Sequence, residues 1–558
     1  MIRVKKIIKS MTFNRFNTGL FILMLSAGLI ASELNEETQA HLREAEIALE
    51  NLDYKMVIQK YLDATRSSND LEITKQAAWL AEKYKFNKEA LLLGLRWVEF
   101  DKKDNAALLF LINRQIDANL ILAAKKNLKD LLLMHESSSD EVLLGVLPLL
   151  SDQNKDGLQK LIYYFTKIYN KSSYVRYAYA SVLLKNGDIT RANKEARIAI
   201  DLNPDWEKPK LLFARNLLLS GQNQKAIDYI ARIIGDQLNP SPEARLELAL
   251  AYMSSEQLED ALGQVSQILL ETRSNEALRL MTIINFRLGH YDSAWFDLNE
   301  LYAKDLYRMD AMFYMARISE VRSNYNEALS YYSNVTSGVN TVYSQKRVVT
   351  LLVATNKIDE AKNHLREFGQ KYPKYMSEML LAEANLYQEL GENQQALDLF
   401  DKLISYYPDN QFYFLRRASL LLDLEKISEA LSSYSSLAKR FPKNATVLNA
   451  YGYTLTNYSK DYKKASRLIK RAIKLEPNNP AIIDSFGWVL YRMGKYENAL
   501  DALLRAYELF KDPEIAAHII EVLWKVDRND EAKEFLSEAE SLFSDSIYIE
   551  NIRDNLLN

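Results

Sequence analysis

Small residues return along this chain with one period. Ala192, Ala226, Ala261, Ala294, Ala328, Ala361, Ala396, Ala430, Ala465, Ala499 and Ala532 follow one another at steps of 33 to 35 residues. Twelve residues before most of them stands a second small residue: Ala180, Ala214, Ala249, Ala316, Ala384, Ala418 or Gly487, with Gly452 thirteen before Ala465. Twelve residues after five of them stands a proline, at Pro204, Pro373, Pro408, Pro442 and Pro477. Between these marks apolar residues fall at helical spacing, so each period predicts two helices that approach closely at the small residues. The second of each pair ends where proline removes a backbone donor.

The most regular copy is Asp484 to Ala506, DSFGWVLYRMGKYENALDALLRA. Gly487, Ala499 and Ala506 mark close contacts, Gly494 and Lys495 mark the turn, and Leu490, Tyr496 and Leu503 fill the space between helices. This arrangement resembles a tetratricopeptide repeat. One such hairpin cannot bury its own apolar faces, so the phase predicts an all-α solenoid of stacked hairpins that curls into a superhelix with a concave wall. Residues 171–540 form an array of about eleven repeats on this reading, and residues 541–558 a closing helix. Stepping back from Ala192 lands on Leu158, Ala124, Ala90 and Val57, so residues 33–170 are divergent repeats or a helical cap.

The first 32 residues break the pattern. MIRVKKIIKSMTFNRFN carries five Lys or Arg and no acid, an apolar core runs from Leu20 to Ala31, and the acidic chain begins at Glu33. Basic, then apolar, then small is the order of a secretory signal. The core is short of the roughly 20 apolar residues that a membrane-spanning helix needs. The expectation is therefore export to the periplasm or cell envelope, by cleavage near Ala31 or Ser32. Retention as a short inner-membrane anchor stays open, and with it membrane association through the N-terminus; a cytoplasmic protein with an apolar head ranks below both.

Composition then narrows the chemistry. The formal charge of -3 argues against a general nucleic-acid binder. With no cysteine, disulfides, thiolate metal sites and cysteine nucleophiles are excluded. His41, His135, His290, His364 and His518 are scattered over different repeats and form no local metal pattern, and no phosphate-cradling or nucleophile-elbow motif occurs. Asp152, Asn154, Asp156 and Gly157 copy the start of a calcium loop, but Tyr163 stands where the bidentate Glu belongs, which favours a polar turn. No catalytic, metal or cofactor site is expected.

The 34 tyrosines point elsewhere. Tyr291, Tyr325, Tyr462 and Tyr496 share one interhelical slot, whereas Tyr174, Tyr177, Tyr453, Trp488 and Tyr491 fall on the side of the first helices that would line the concave wall. Asn385, Asn449 and Asp484 lie beside them. Aromatic and amide groups together suit an extended peptide, whose backbone needs hydrogen bonds and whose side chains need apolar contact. These eight residues are the candidate protein-binding set.

The carboxy-terminal third carries a narrower likeness. NAYGYTLTNY (Asn449 to Tyr458), LEPNNPAIIDSFGWVLYRMGKYENAL (Leu475 to Leu500) and DPEIAAHIIEVLW (Asp512 to Trp524) resemble exported tetratricopeptide-repeat lipoproteins of proteobacteria. Those lipoproteins act as adaptors for the periplasmic carboxyl-terminal processing protease. The resemblance implies a non-catalytic adaptor that binds the protease and brings it substrates such as peptidoglycan hydrolases. Ser32 departs from the family, since a lipid-accepting cysteine would stand there. Two rivals predict different behaviour: a scaffold in an envelope secretion or polysaccharide-export complex, indifferent to the protease, and an enzyme with a cleft between repeats.

Overall fold

All eleven alanines of the phase are fully buried. The reason shows at Gly487, where an added Cβ would lie 2.6 Å from Leu503 Cγ and 3.1 Å from the Ala499 carbonyl oxygen. The two helices of a hairpin touch there backbone to backbone, and no side chain fits. The computed structural model describes residues 34–557, apart from 52, 136 and 137; the leader expected over residues 1–32 lies outside them. Among the described residues there are thirty-one α-helices and no strand. No described helix is long and apolar enough to cross a membrane.

The helices pair into hairpins, and most of the hairpins turn on a residue in the left-handed region. Thirteen of these turn residues stand five positions before an in-phase residue, from Lys85 before Ala90 to Asp527 before Ala532. Five are glycines (Gly187, Gly221, Gly289, Gly391 and Gly494); the other eight are Lys, Asn, Glu, Ser or Asp. In twelve of them the amide after the turn residue closes back on the first helix, as Lys495 does on the Leu490 carbonyl and Lys426 on the Leu421 carbonyl. This is the αL closure that ends a helix. Second helices stop at Leu202, Lys371, Tyr406, Arg440 and Leu475, each two residues before an in-phase proline.

The repeat ending at Ala465 differs. Its first helix runs Ala445–Thr454 and continues as a π-turn over Leu455–Ser459 before Lys460 turns left-handed. The π-turn absorbs one extra residue, which is why Gly452 stands thirteen rather than twelve before Ala465. The close contact survives: a Cβ on Gly452 would lie 2.5 Å from Ile469 Cγ1.

The chain divides into two compact units, Met1–Asp297 and Leu298–Asn558. In the first, four hairpins precede Ser173, and their in-phase residues Val57, Ala90, Ala124 and Leu158 are buried. The segment Asp152–Gly157 is a helix start here. Asn154 accepts from the Gly157 amide at 2.8 Å, Asp152 pairs with Lys185 at 2.7 Å, and Asp156 pairs with Lys160. In the second unit, first helices of successive hairpins pack side by side, Ala445–Thr454 on Pro480–Arg492 and that on Pro513–Lys525.

Candidate protein-binding site

A first helix of thirteen or fourteen residues makes about four turns, so its side chains one period away in sequence meet those of the next first helix. Polar residues exploit this. Arg114 reaches Glu82 at 2.9 Å, and Arg416 reaches Asn385 at 3.2 Å and Gln388 at 2.7 Å. The densest such network lies on the three first helices between Ala445 and Lys525.

Its centre is His518, which is buried and accepts no solvent contact to speak of at 8% exposure. Its Nδ1–H donates to Asp484 Oδ1 at 2.8 Å across one repeat, and its ring stacks on Trp488 with centroids 4.1 Å apart. Burial works against a charged imidazole, but the Asp484 hydrogen bond, and the carboxylates of Asp484, Glu514 and Glu521, outweigh it and hold His518 above its usual pKa. Trp488 donates its indole N–H to Asn457 Oδ1 at 2.8 Å, so the π-turn supplies the acceptor. Tyr453 donates its hydroxyl to Glu514 Oε1 at 2.7 Å, spanning two hairpins. Burial, then the nearby Glu514 carboxylate, push the Tyr453 phenol far above its ordinary range. The same two causes, with Glu521 as the carboxylate, raise Tyr491. Arg492 lies over the Trp488 ring, 5.7 Å from its centroid.

Five of the eight candidate residues thus share one region: Asn449, Tyr453, Asp484, Trp488 and Tyr491. Their exposure corrects the expectation of an open aromatic wall. Trp488 and Asp484 are buried, at 8% and 5%, because His518 of the next first helix covers them. Tyr453, Tyr491 and Asn449 are half-buried, and the Asn449 amide oxygen is enclosed without a hydrogen-bond partner. Asn385 lies two hairpins earlier, committed to Arg416. Tyr174 and Tyr177 belong to the first unit and flank Trp206, at 4.4 and 5.0 Å between centroids.

Sequence reasoning missed Asn457, Glu514, His518 and Glu521. The signal was present in part: Asp484 and His518 are 34 residues apart, one full period, and so face each other on neighbouring helices. Among the described residues no group of His, Asp and Glu is arranged to hold a metal ion. An imidazole already paired with a carboxylate and roofed by an indole offers binding and rigidity. It leaves no exposed base.

The tetratricopeptide-repeat sequence pattern matches residues 211–277, 381–445 and 415–480. A stretch of 209 residues is 31% identical to the TPR repeat-containing protein PA4667 of Pseudomonas aeruginosa. That match covers 38% of this chain and 35% of the relative's length. Among solved structures, the APC/C hetero-tetramer Cut9-Hcn1 is 17% identical, with a TM-score of 0.33 over 88% of this chain and 98% of that one. A tetratricopeptide repeat protein from Parabacteroides merdae is 15% identical, with a TM-score of 0.35 over 45% of this chain and 99% of that one. At such scores the structural likenesses carry no argument. The sequence matches and the hairpin geometry agree on an all-α tetratricopeptide solenoid, an architecture that serves as a scaffold for protein partners.

Proposed function

We propose that this tetratricopeptide-repeat chain is a non-catalytic scaffold of the cell envelope that binds a carboxyl-terminal processing protease and presents substrates such as peptidoglycan hydrolases to it. The observation that carries the reading is a coincidence of place. The stretch whose strings resemble protease adaptors, Asn449 to Trp524, is also the stretch whose first helices hold the Tyr453, Trp488, His518 and Tyr491 network. The half-buried Tyr453 and Tyr491, held over a buried Trp488 and His518 and edged by Glu514, Glu521 and Arg492, suit a partner with apolar anchors and both signs of charge. The basic and apolar leader supports an envelope location. Holding protease and substrate on one scaffold raises their effective concentration and asks no chemistry of the scaffold.

The test is reconstitution with the purified protease of the source organism and a peptidoglycan hydrolase it degrades. A stable complex with the full chain, and faster hydrolase degradation in its presence, are expected. Tyr491→Ala combined with Arg492→Glu should weaken the complex while helical content stays constant. No complex and an unchanged degradation rate would overturn the proposal. Recovery of export machinery from the envelope fraction instead would assign the scaffold to a secretion or polysaccharide-export assembly.

A further inference from the structure

The second helix Tyr462–Leu475, YKKASRLIKRAIKL, carries six cations and no acid. Lys463, Arg467, Lys470, Arg471 and Lys474 stand at offsets of four, seven, eight and eleven, which places them on one helical stripe. All five are exposed, opposite the buried Ala465, Leu468, Ile469 and Ala472. No carboxylate holds any of the five among the described residues, whereas Arg417, Arg440 and Lys362 on nearby hairpins are each paired with one. Like charges three and four apart repel along a helix, so the stripe is tolerated against its own electrostatics.

The next second helix, Tyr496–Leu509, has the opposite stripe. Stepping 34 residues converts Lys463 to Glu497, Arg467 to Asp501 and Lys474 to Glu508, all exposed. One position keeps its type for a visible reason: Arg471 and Arg505 donate to the carbonyls of Pro442 and Pro477, at 2.9 and 3.0 Å, and so tie each second helix to the preceding loop. Of the positions without that duty three invert, and the fourth, Lys470, becomes the apolar Leu504. Apolar residues lie exposed among them, with Leu475 at 44%, Leu509 at 47% at the equivalent position, Leu504 at 39% and Phe510 at 59%. No ion pair joins the two stripes within the chain among the described residues.

We propose that these neighbouring stripes are the two halves of a self-complementary interface between two copies of this chain. A two-fold contact uses the same patch on both partners, so a patch carrying one basic and one acidic stripe side by side satisfies both at once. The basic helix of each copy meets the acidic helix of the other, and Leu475, Leu504, Leu509 and Phe510 are covered between them. An anionic membrane or polyanion fits less well, because it would meet Glu497, Asp501 and Glu508 across the same face. The inference is independent of the protease.

The test is sedimentation velocity of the full chain. A dimer is expected at about 0.05 M salt, dissociating toward monomer at about 0.5 M, where exposed charges are screened. Lys463→Glu, Arg467→Glu, Lys470→Glu and Lys474→Glu together should raise the dimer dissociation constant by roughly tenfold or more, as should Glu497→Lys with Asp501→Lys and Glu508→Lys. Mixing the two variants should restore a one-to-one complex, since one now carries two acidic stripes and the other two basic ones. Misfolding cannot produce that rescue. A monomer at low salt, a dimer indifferent to both reversals, or a mixture that fails to associate would each overturn the proposal. Wild-type monomer that co-sediments with anionic vesicles would also overturn it, and would give the stripe to a lipid surface.

Discussion

Two regions obey the same alanine phase and fill it in opposite ways. In the hairpins around Leu71–Ile116, the small residue Gly94 lies on a second helix and makes room for the next hairpin: a Cβ there would lie 3.1 Å from the Phe110 ring. Phe110, Trp79 and Trp97 then meet edge-on or tilted at 5.2 to 6.0 Å, an aromatic seam between repeats. In the hairpins between Ala445 and Lys525 the small residues Gly452 and Gly487 lie on first helices and admit their own second helices. The seam between those repeats is the Asp484, His518 and Trp488 network instead. Contact within the hairpin is dictated by backbone proximity. The seam between first helices can therefore be apolar glue or polar machinery without altering the fold.

The comparison breaks first at its most apolar point. Trp97→Ala should cost about 3 to 5 kcal/mol, read as lost hydrogen-exchange protection in the hairpins on either side, because a fully buried ring leaves a cavity. Ala499→Leu should cost about 1 to 3 kcal/mol by denaturant unfolding, since the helices already touch at Gly487. His518→Gln sharpens the polar side. A folded-state pKa held above the usual value means that protonation stabilises the fold, fully below about pH 6.5 and less as pH climbs through the folded value. Wild type should thus lose melting temperature as pH climbs above about 6.5, a decline that His518→Gln lacks. The smallest effect is a gain: Glu425→Gly should stabilise by several tenths to about 1 kcal/mol, since Glu425 occupies a left-handed turn that glycine adopts without strain.

Much of this was legible in the residues. The alanine phase gave the helices, their pairing and their ends, because backbone contact admits almost no alternative at those positions. The left-handed turn was visible only where it is glycine, as at Gly494; at Lys85, Asn356 or Lys460 the side chain carries no sign of it. The candidate residues were legible as neighbours and not in their exposure. The periodicity that brings Asp484 and Trp488 together on one first helix also puts His518 one repeat later, over them. A polar pair separated by one period is the sign that such a surface is closed.

The fixed spacing from turn to alanine divides the chain into two kinds of joint. Five residues separate the left-handed turn from its in-phase residue in all thirteen cases, while the full period drifts between 33 and 35. Apart from the π-turn at Leu455–Ser459, the drift falls between the in-phase residue and the next first helix, in the end of the second helix and the connection that follows it. A hairpin is thus the unit that can be duplicated, deleted or transplanted whole, and its exit loop is where grafts and length changes cost least. Gene-level shuffling of this chain has natural cut points at segments such as 236–241 and 334–340, outside every helix.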